Sequence, residues 1–257
     1  FTKNQNVYLY ALYYYYKNGF TYVEAGDGDE LWEHPKFKVI KDAHYDVYNR
    51  IKEFYDAGRY ILLYGNHNIY FQDPKYVKKN LFTYYHDYQG ESTDFLQGIK
   101  AYEGLVLKSR ENNQEILVVH GHQGDFSNDQ LWRLSILSLK YFWRRLHAFG
   151  FQNPASPIKN LNKQHKIEKN CNKWIAKRKK MLICGHTHRY KYPKTEELPY
   201  FNTGCCIYPT SMSCIEITGG KIQIVRWRVI PNETGLLHIE RHVIRGPGEI
   251  RKFDMRG

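Results

Sequence analysis

Two histidines stand two residues apart in Gly185-His186-Thr187-His188, directly after the apolar run Met181-Leu182-Ile183-Cys184. Four apolar residues suit a short buried strand, and a sharp turn after it can aim imidazoles at i and i+2 into one cleft. Neutral imidazole is the commonest transition-metal ligand, and a pair held at a strand end keeps its direction. A His-x-His alone is more often a pair of solvated or hydrogen-bonded histidines than a site, so its companions decide the matter.

Three other apolar runs end the same way. The run from Phe20 to Ala25 leads into Gly26-Asp27-Gly28-Asp29-Glu30, that from Tyr60 to Tyr64 into Gly65-Asn66-His67-Asn68, and that from Glu115 to Val119 into His120-Gly121-His122. In a layered sheet the carboxyl ends of such strands share an edge. Asp27, Asn66, His120, His186 and His188 are then expected to converge as metal ligands, the first four each beside a glycine that lets backbone approach an ion closely.

The ordered series Gly-Asp-x-x-Glu, Gly-Asn-His, His-Gly-His and Gly-His-Thr-His resembles the calcineurin-like metallophosphoesterases, over about Phe20 to Gly204. The resemblance implies an α/β fold, an αββα sandwich of two mixed sheets flanked by helices, and two divalent metal ions. It implies an enzyme, a hydrolase in which a metal-bridging hydroxide attacks phosphorus. Two cations about 3.5–4 Å apart remove the repulsion that shields a phosphate ester and acidify a bridging water. Asp27 is placed as the bridging anion. By resemblance Asn66, His120 and His186 complete one metal and His188 belongs to the other. His67 is the expected proton donor to the leaving oxygen, a contribution typically of about 10²–10⁴-fold. Asn68 replaces the acidic residue usual in the family, so His67 is expected to titrate lower than it would beside a carboxylate. His122 and Asn68 are placed around the ligands or against substrate. Manganese, iron or zinc suits the mixed nitrogen and oxygen donors.

The family's first strand ends in Asp-x-His, and nothing here matches it, since Phe1 begins about where the following helix should. Either the sequence given lacks the true N-terminus, which is the favoured expectation, or a single metal is bound. The layout is nearest to the UDP-diacylglucosamine hydrolase branch, which has a helical lid between the same two motifs and a form like Asp27 to Trp32. It departs from that branch at His67, where the branch has arginine.

At 257 residues the chain fits one domain, 1–257, with a helical lid inserted at about 126–180. No run reaches the roughly 18 apolar residues of a transmembrane helix, and no leader opens the chain, so a soluble cytoplasmic protein is expected. Cys171, Cys184, Cys205, Cys206 and Cys214 are odd in number and unevenly spaced, which reads as free buried thiols. The net charge is +12, and thirteen basic against two acidic residues between Phe126 and Lys180 leave +11 of it in one segment.

The elements that must position the site follow from periodicity. Asn4 to Asn18 reads as a helix stopped at Gly19, and Phe37 to Ala57 as a second with Val39, Ile40, Ala43, Val47, Ile51 and Phe54 inward. Tyr102 to Lys108 and Gln114 to Val119 read as a hairpin. Ser127 to about His147 reads as a helix apolar almost all round, followed by one near Ile167 to Lys179 with a stripe of Ile167, Cys171, Trp174 and Ile175. Phe201 to Gly204, Ser213 to Ile217 and Ile222 to Val229 read as the antiparallel edge of the second sheet, Leu237 to Ile244 as a further strand, and Gly246 to Gly257 as a loose tail.

These readings point to a phosphate ester or pyrophosphate as substrate, on a nucleotide or a lipid, with peripheral membrane contact through the 126–180 lid. Two rivals stand beside it: a nuclease using the basic segment as a groove for single-stranded nucleic acid, and a catalytically silent interaction module of the same fold.

Overall fold

The computed structural model describes residues 4–86, 90–124 and 161–255. The helix read over 127–147 and the chain from there up to residue 160, read as a linker through Asn153 to Pro157, lie outside them.

The chain is a mixed α/β protein. Helix α1 (Gln5–Lys17) ends at Asn18, and Gly19 turns the chain at φ 73° into β1 (Tyr22–Ala25). Its inward stripe is Val7, Tyr8, Ala11 and Leu12, recurring at the helical period. The helix expected over 37–57 is broken into α2 (Phe37–Ala43) and α3 (Tyr45–Asp56). His44 leaves helical dihedrals at φ −127°, and its Nδ1 lies 2.7 Å from the Gln5 side-chain oxygen of α1. Val47, Ile51 and Phe54 are buried as expected, but Val39 is exposed, because α2 turns Phe37 and Lys41 inward instead.

Strand β2 (Tyr60–Leu63) runs parallel to β1, pairing Tyr22 with Tyr60 and Ala25 with Leu63. A 3-10 turn at Ile69–Gln72 and α4 (Pro74–Leu81) follow, α4 capped by the Asp73 carboxylate on the Lys75 N–H. The hairpin β3 (Thr83–His86) and β4 (Glu91–Asp94) was not read from the sequence. Its aromatic Tyr84, with Phe95, encloses the Lys41 ammonium at 3.2 and 3.6 Å from the ring centroids. Strand β5 (Ala101–Tyr102) adds a parallel partner to β2.

A second sheet has the order β6 (Gly104–Lys108), β7 (Glu115–Val119), β8 (Met181–Cys184) and β9 (Tyr200–Asn202). The β6–β7 pair is the expected antiparallel hairpin; β7, β8 and β9 run parallel, so Phe201 and Asn202 join this sheet beside β8 and not the antiparallel edge expected for them. Helix α5 (Leu161–Arg178) begins earlier than read and packs Ile167, Cys171 and Ile175 onto Leu182, Cys184 and Tyr200. It is therefore a layer of the body. The third sheet is antiparallel: β10 (Ser211–Thr218), β11 (Lys221–Pro231) and β12 (Leu237–Glu249).

Leu63 of β2, Ile116 and Val118 of β7, Ile183 of β8, Phe201 of β9 and Ile222 of β11 share one core, so the three sheets meet in the interior. A larger core joins α1, α3 and α4 to the first and third of them around Phe54, Phe71 and Trp227. The C-terminal stretch expected to be loose instead continues β12 to Glu249, buries Ile250 and sets Phe253 edge-on to Phe201 at 5.0 Å. All five cysteines are free, Cys171, Cys184 and Cys205 buried and Cys206 and Cys214 half-buried. No helix among the described residues is long and apolar enough to cross a membrane.

Candidate metal centre

The carboxyl ends of β1, β2, β7 and β8 carry the four polar turns singled out above. Asp27, His120 and His186, from three of them, offer ligand atoms that all lie within 4.8 Å of one another. Asp27 Oδ2 is 2.8 Å from His120 Nε2, which is 3.2 Å from His186 Nδ1. His120 Nδ1 lies 2.9 Å from the Ala25 carbonyl, which can only accept, so Nδ1 carries the proton and Nε2 is turned to the cluster. That leaves Nε2 as the nitrogen an ion would take.

The backbone at these turns is unusual. Asp27, His186 and His188 sit at φ 58°, 56° and 58°, three of the five non-glycine residues with left-handed backbone among those described. Each such residue costs roughly 1–2 kcal/mol, and strain of this kind collects at functional sites. Glycine is required beside them: a Cβ on Gly65 would strike the Asp27 carboxylate and come within 2.8 Å of His120 Cδ2, and one on Gly26 would lie 2.7 Å from His120 Nδ1.

Asn66 is 1% exposed, and its Oδ1 is buried with no hydrogen-bond partner. A buried carbonyl left without a donor is costly unless a cation takes its place. His188 Nδ1 is likewise buried without a partner. Burial lowers the His188 pKa to about 4, against the charge of Asp27, so its ring is neutral and able to ligate at pH 7. Burial would raise Asp27, yet the neighbouring His120 and His67 hold it well below the usual carboxylate range. Asp27, His120 and His186 are the ligands that cluster, and His188 is not among them; a carboxylate and two imidazoles, with the buried Asn66 oxygen left without a donor, suit manganese, iron or zinc.

Around this centre Asn68, 0% exposed, braces two loops: its Oδ1 accepts from Gly65 N–H at 2.6 Å and from Asp27 N–H at 3.3 Å. His67 donates its backbone N–H to Asp27 Oδ1 at 2.8 Å. Its ring stacks on Trp32, centroids 4.5 Å apart, and its Nδ1 lies 2.5 Å from Glu30 Oε2. Burial disfavours the imidazolium, but the Glu30 and Asp27 charges override it and raise His67 to about 9. This corrects the expectation that Asn68 leaves His67 titrating low, because the missing carboxylate is supplied by Glu30 from another loop. His122 is 2% exposed, with its ring 5.6 Å from that of His120. Asp29 faces the interior, where it and Glu24 are hydrogen-bonded by tyrosines Tyr48 and Tyr60; burial and their mutual charge lift Glu24 to about 8.

No protein-family model matches this chain, and no curated protein matches its sequence. The functional reading therefore stands on the geometry.

Proposed function

We propose that this chain is a metal-dependent phosphoesterase built on the αββα metallophosphoesterase plan. One observation carries the reading: Asp27, His120 and His186, from separate strand ends far apart in sequence, offer ligand atoms that meet within 4.8 Å. Helices on both outer sides of the packed sheets are consistent with the plan.

Asp27, Asn66, His120 and His186 hold one cation, with His188 on its flank. Divalent metal bound there supplies Lewis acidity and neutralises the charge that shields a phosphoryl group. The remaining roles belong to the chain. Asn66 is a neutral donor, so the centre keeps more positive charge for phosphoryl oxygens than an aspartate would leave. Glu30 holds the proton on His67 Nδ1 and leaves Nε2 to donate to the departing oxygen, while the Trp32 face fixes the ring plane.

The test is metal content followed by hydrolysis of an aryl phosphate monoester, a diester, a nucleotide pyrophosphate, a lipid-linked pyrophosphate in detergent and single-stranded nucleic acid. Hydrolysis of at least one is expected, lost in Asp27→Ala together with bound metal. Turnover that persists in Asp27→Ala puts the chemistry elsewhere, and a metal-loaded chain inert on every substrate is the silent interaction module.

A further inference from the structure

His186 and His188 project from a turn whose backbone is left-handed at both residues, and such a turn needs an outside hold. The neighbouring strand supplies one. Asn202, the last residue of β9, is 0% exposed and pairs in register with Cys184, just before the turn. Its Nδ2 donates to the Gly185 carbonyl and lies 3.1 Å from both Thr187 Oγ1 and Tyr200 Oη. Its Oδ1 accepts from Gly204 N–H at 3.0 Å. The reverse orientation of the amide would set oxygen against the Gly185 carbonyl and NH₂ against the Gly204 N–H, so only one orientation satisfies the site. Its main chain is tied as well, giving N–H to Lys191 O at 3.0 Å and taking Lys191 N–H at 3.1 Å.

The amide thus grips the chain on either side of His186, at the carbonyl before it and the hydroxyl after it. We infer that Asn202 is a positioning residue for the metal centre, holding the 185–188 turn in the strained form that aims His186 and His188 at the ion. The inference rests on the reading of Asp27, His120 and His186 as metal ligands. Asn202 acts through the Gly185 carbonyl and the Thr187 hydroxyl. An oxygen-only side chain of the same shape does not replace it, because it would set a second acceptor against the Gly185 carbonyl.

The experiment measures Mn²⁺ and Zn²⁺ affinity, by competition with a chelating dye, for the wild-type chain and for Asn202→Ala, Thr187→Val and Ser213→Ala. Ser213 is the control: its Oγ donates to the Thr203 carbonyl at 2.8 Å, beside Asn202 but off the turn. Asn202→Ala should weaken both metals by about 10–100-fold, the usual range for a residue that orients ligands. Thr187→Val should weaken them by a smaller factor, and Ser213→Ala should leave them at the wild-type value. In the metal-free protein, amides of residues 185–188 should exchange faster in Asn202→Ala while those of β7 do not change. A folded Asn202→Ala with wild-type affinity overturns the inference. If that variant does not fold, unchanged affinity in Thr187→Val overturns it. A wild-type chain that binds neither metal removes the metal-centre reading itself, an outcome distinct from the other two.

Discussion

His67 shows how a side chain takes its chemistry from residues that are remote in sequence. The residue after it is an amide, which cannot stabilise an imidazolium, yet the Glu30 carboxylate 2.5 Å from its Nδ1 does so. In metal-free protein, proton NMR should place the His67 titration near pH 9 in the wild type and closer to the ordinary value in Glu30→Gln. The sign follows from the causes: without the Glu30 charge, burial is opposed only by Asp27 and more distant acids. Because the folded pKa is raised, the stability this pair contributes is fully present below the unfolded value of about 6.5 and is lost as pH rises through about 9. A His67 that still titrates near 9 in Glu30→Gln would remove Glu30 from its role. Legibility was uneven at this scale. Glycine-flanked Asp27, Asn66, His120 and His186 stood out because ligand chemistry demands those residue types. Glu30 was quoted only as part of a pattern, since nothing local says which loop its carboxylate will reach.

At the scale of elements, β10 and β12 are tied by a carboxylate with little access to water. The Glu216 side chain is 3% exposed and forms a forked pair with Arg241, helped by Tyr15 at 2.5 Å and Gln223 at 2.7 Å. Burial alone would raise Glu216; the hydrogen bonds from Arg241, Tyr15 and Gln223 reverse this and hold it below its usual value. Arg241→Met should cost on the order of 2 kcal/mol at pH 7, less than a fully buried pair because the arginine side chain is 25% exposed. A depressed folded pKa contributes stability above the unfolded value of about 4.3 and loses it as pH falls through the folded one. The gap between wild type and Arg241→Met in urea unfolding should therefore narrow on acidification, and a gap constant from pH 7 to pH 3 would contradict the assignment. Most strands and helices were legible from apolar period. The break at His44 and the β3–β4 hairpin were not, because the first depends on the Gln5 contact from α1 and the second on Lys41 seated between two rings.

Across the whole molecule, the question is which parts belong to the folding unit. Helix α5 was read as part of a lid, but Ile175 is 0% exposed and packs with Leu182 and Tyr200. Ile175→Ala should cost about 2–5 kcal/mol in chemical denaturation, as for any large-to-small change in a packed core. A cost under about 1 kcal/mol would mean that the helix peels away from the body. The sequence by itself determined the alternation of strands and helices, the four polar turns and the residue types able to hold a cation. Those depend on short-range rules: periodicity, glycine at tight bends and donor chemistry. Only the tertiary structure decided that β1, β2, β7 and β8 bring their ends together, that Glu30 serves His67 and that Asn202 locks the Gly-His-Thr-His turn. Such contacts join residues separated by 15 to more than 150 positions, and no local pattern encodes which of many possible partners a packed core will select.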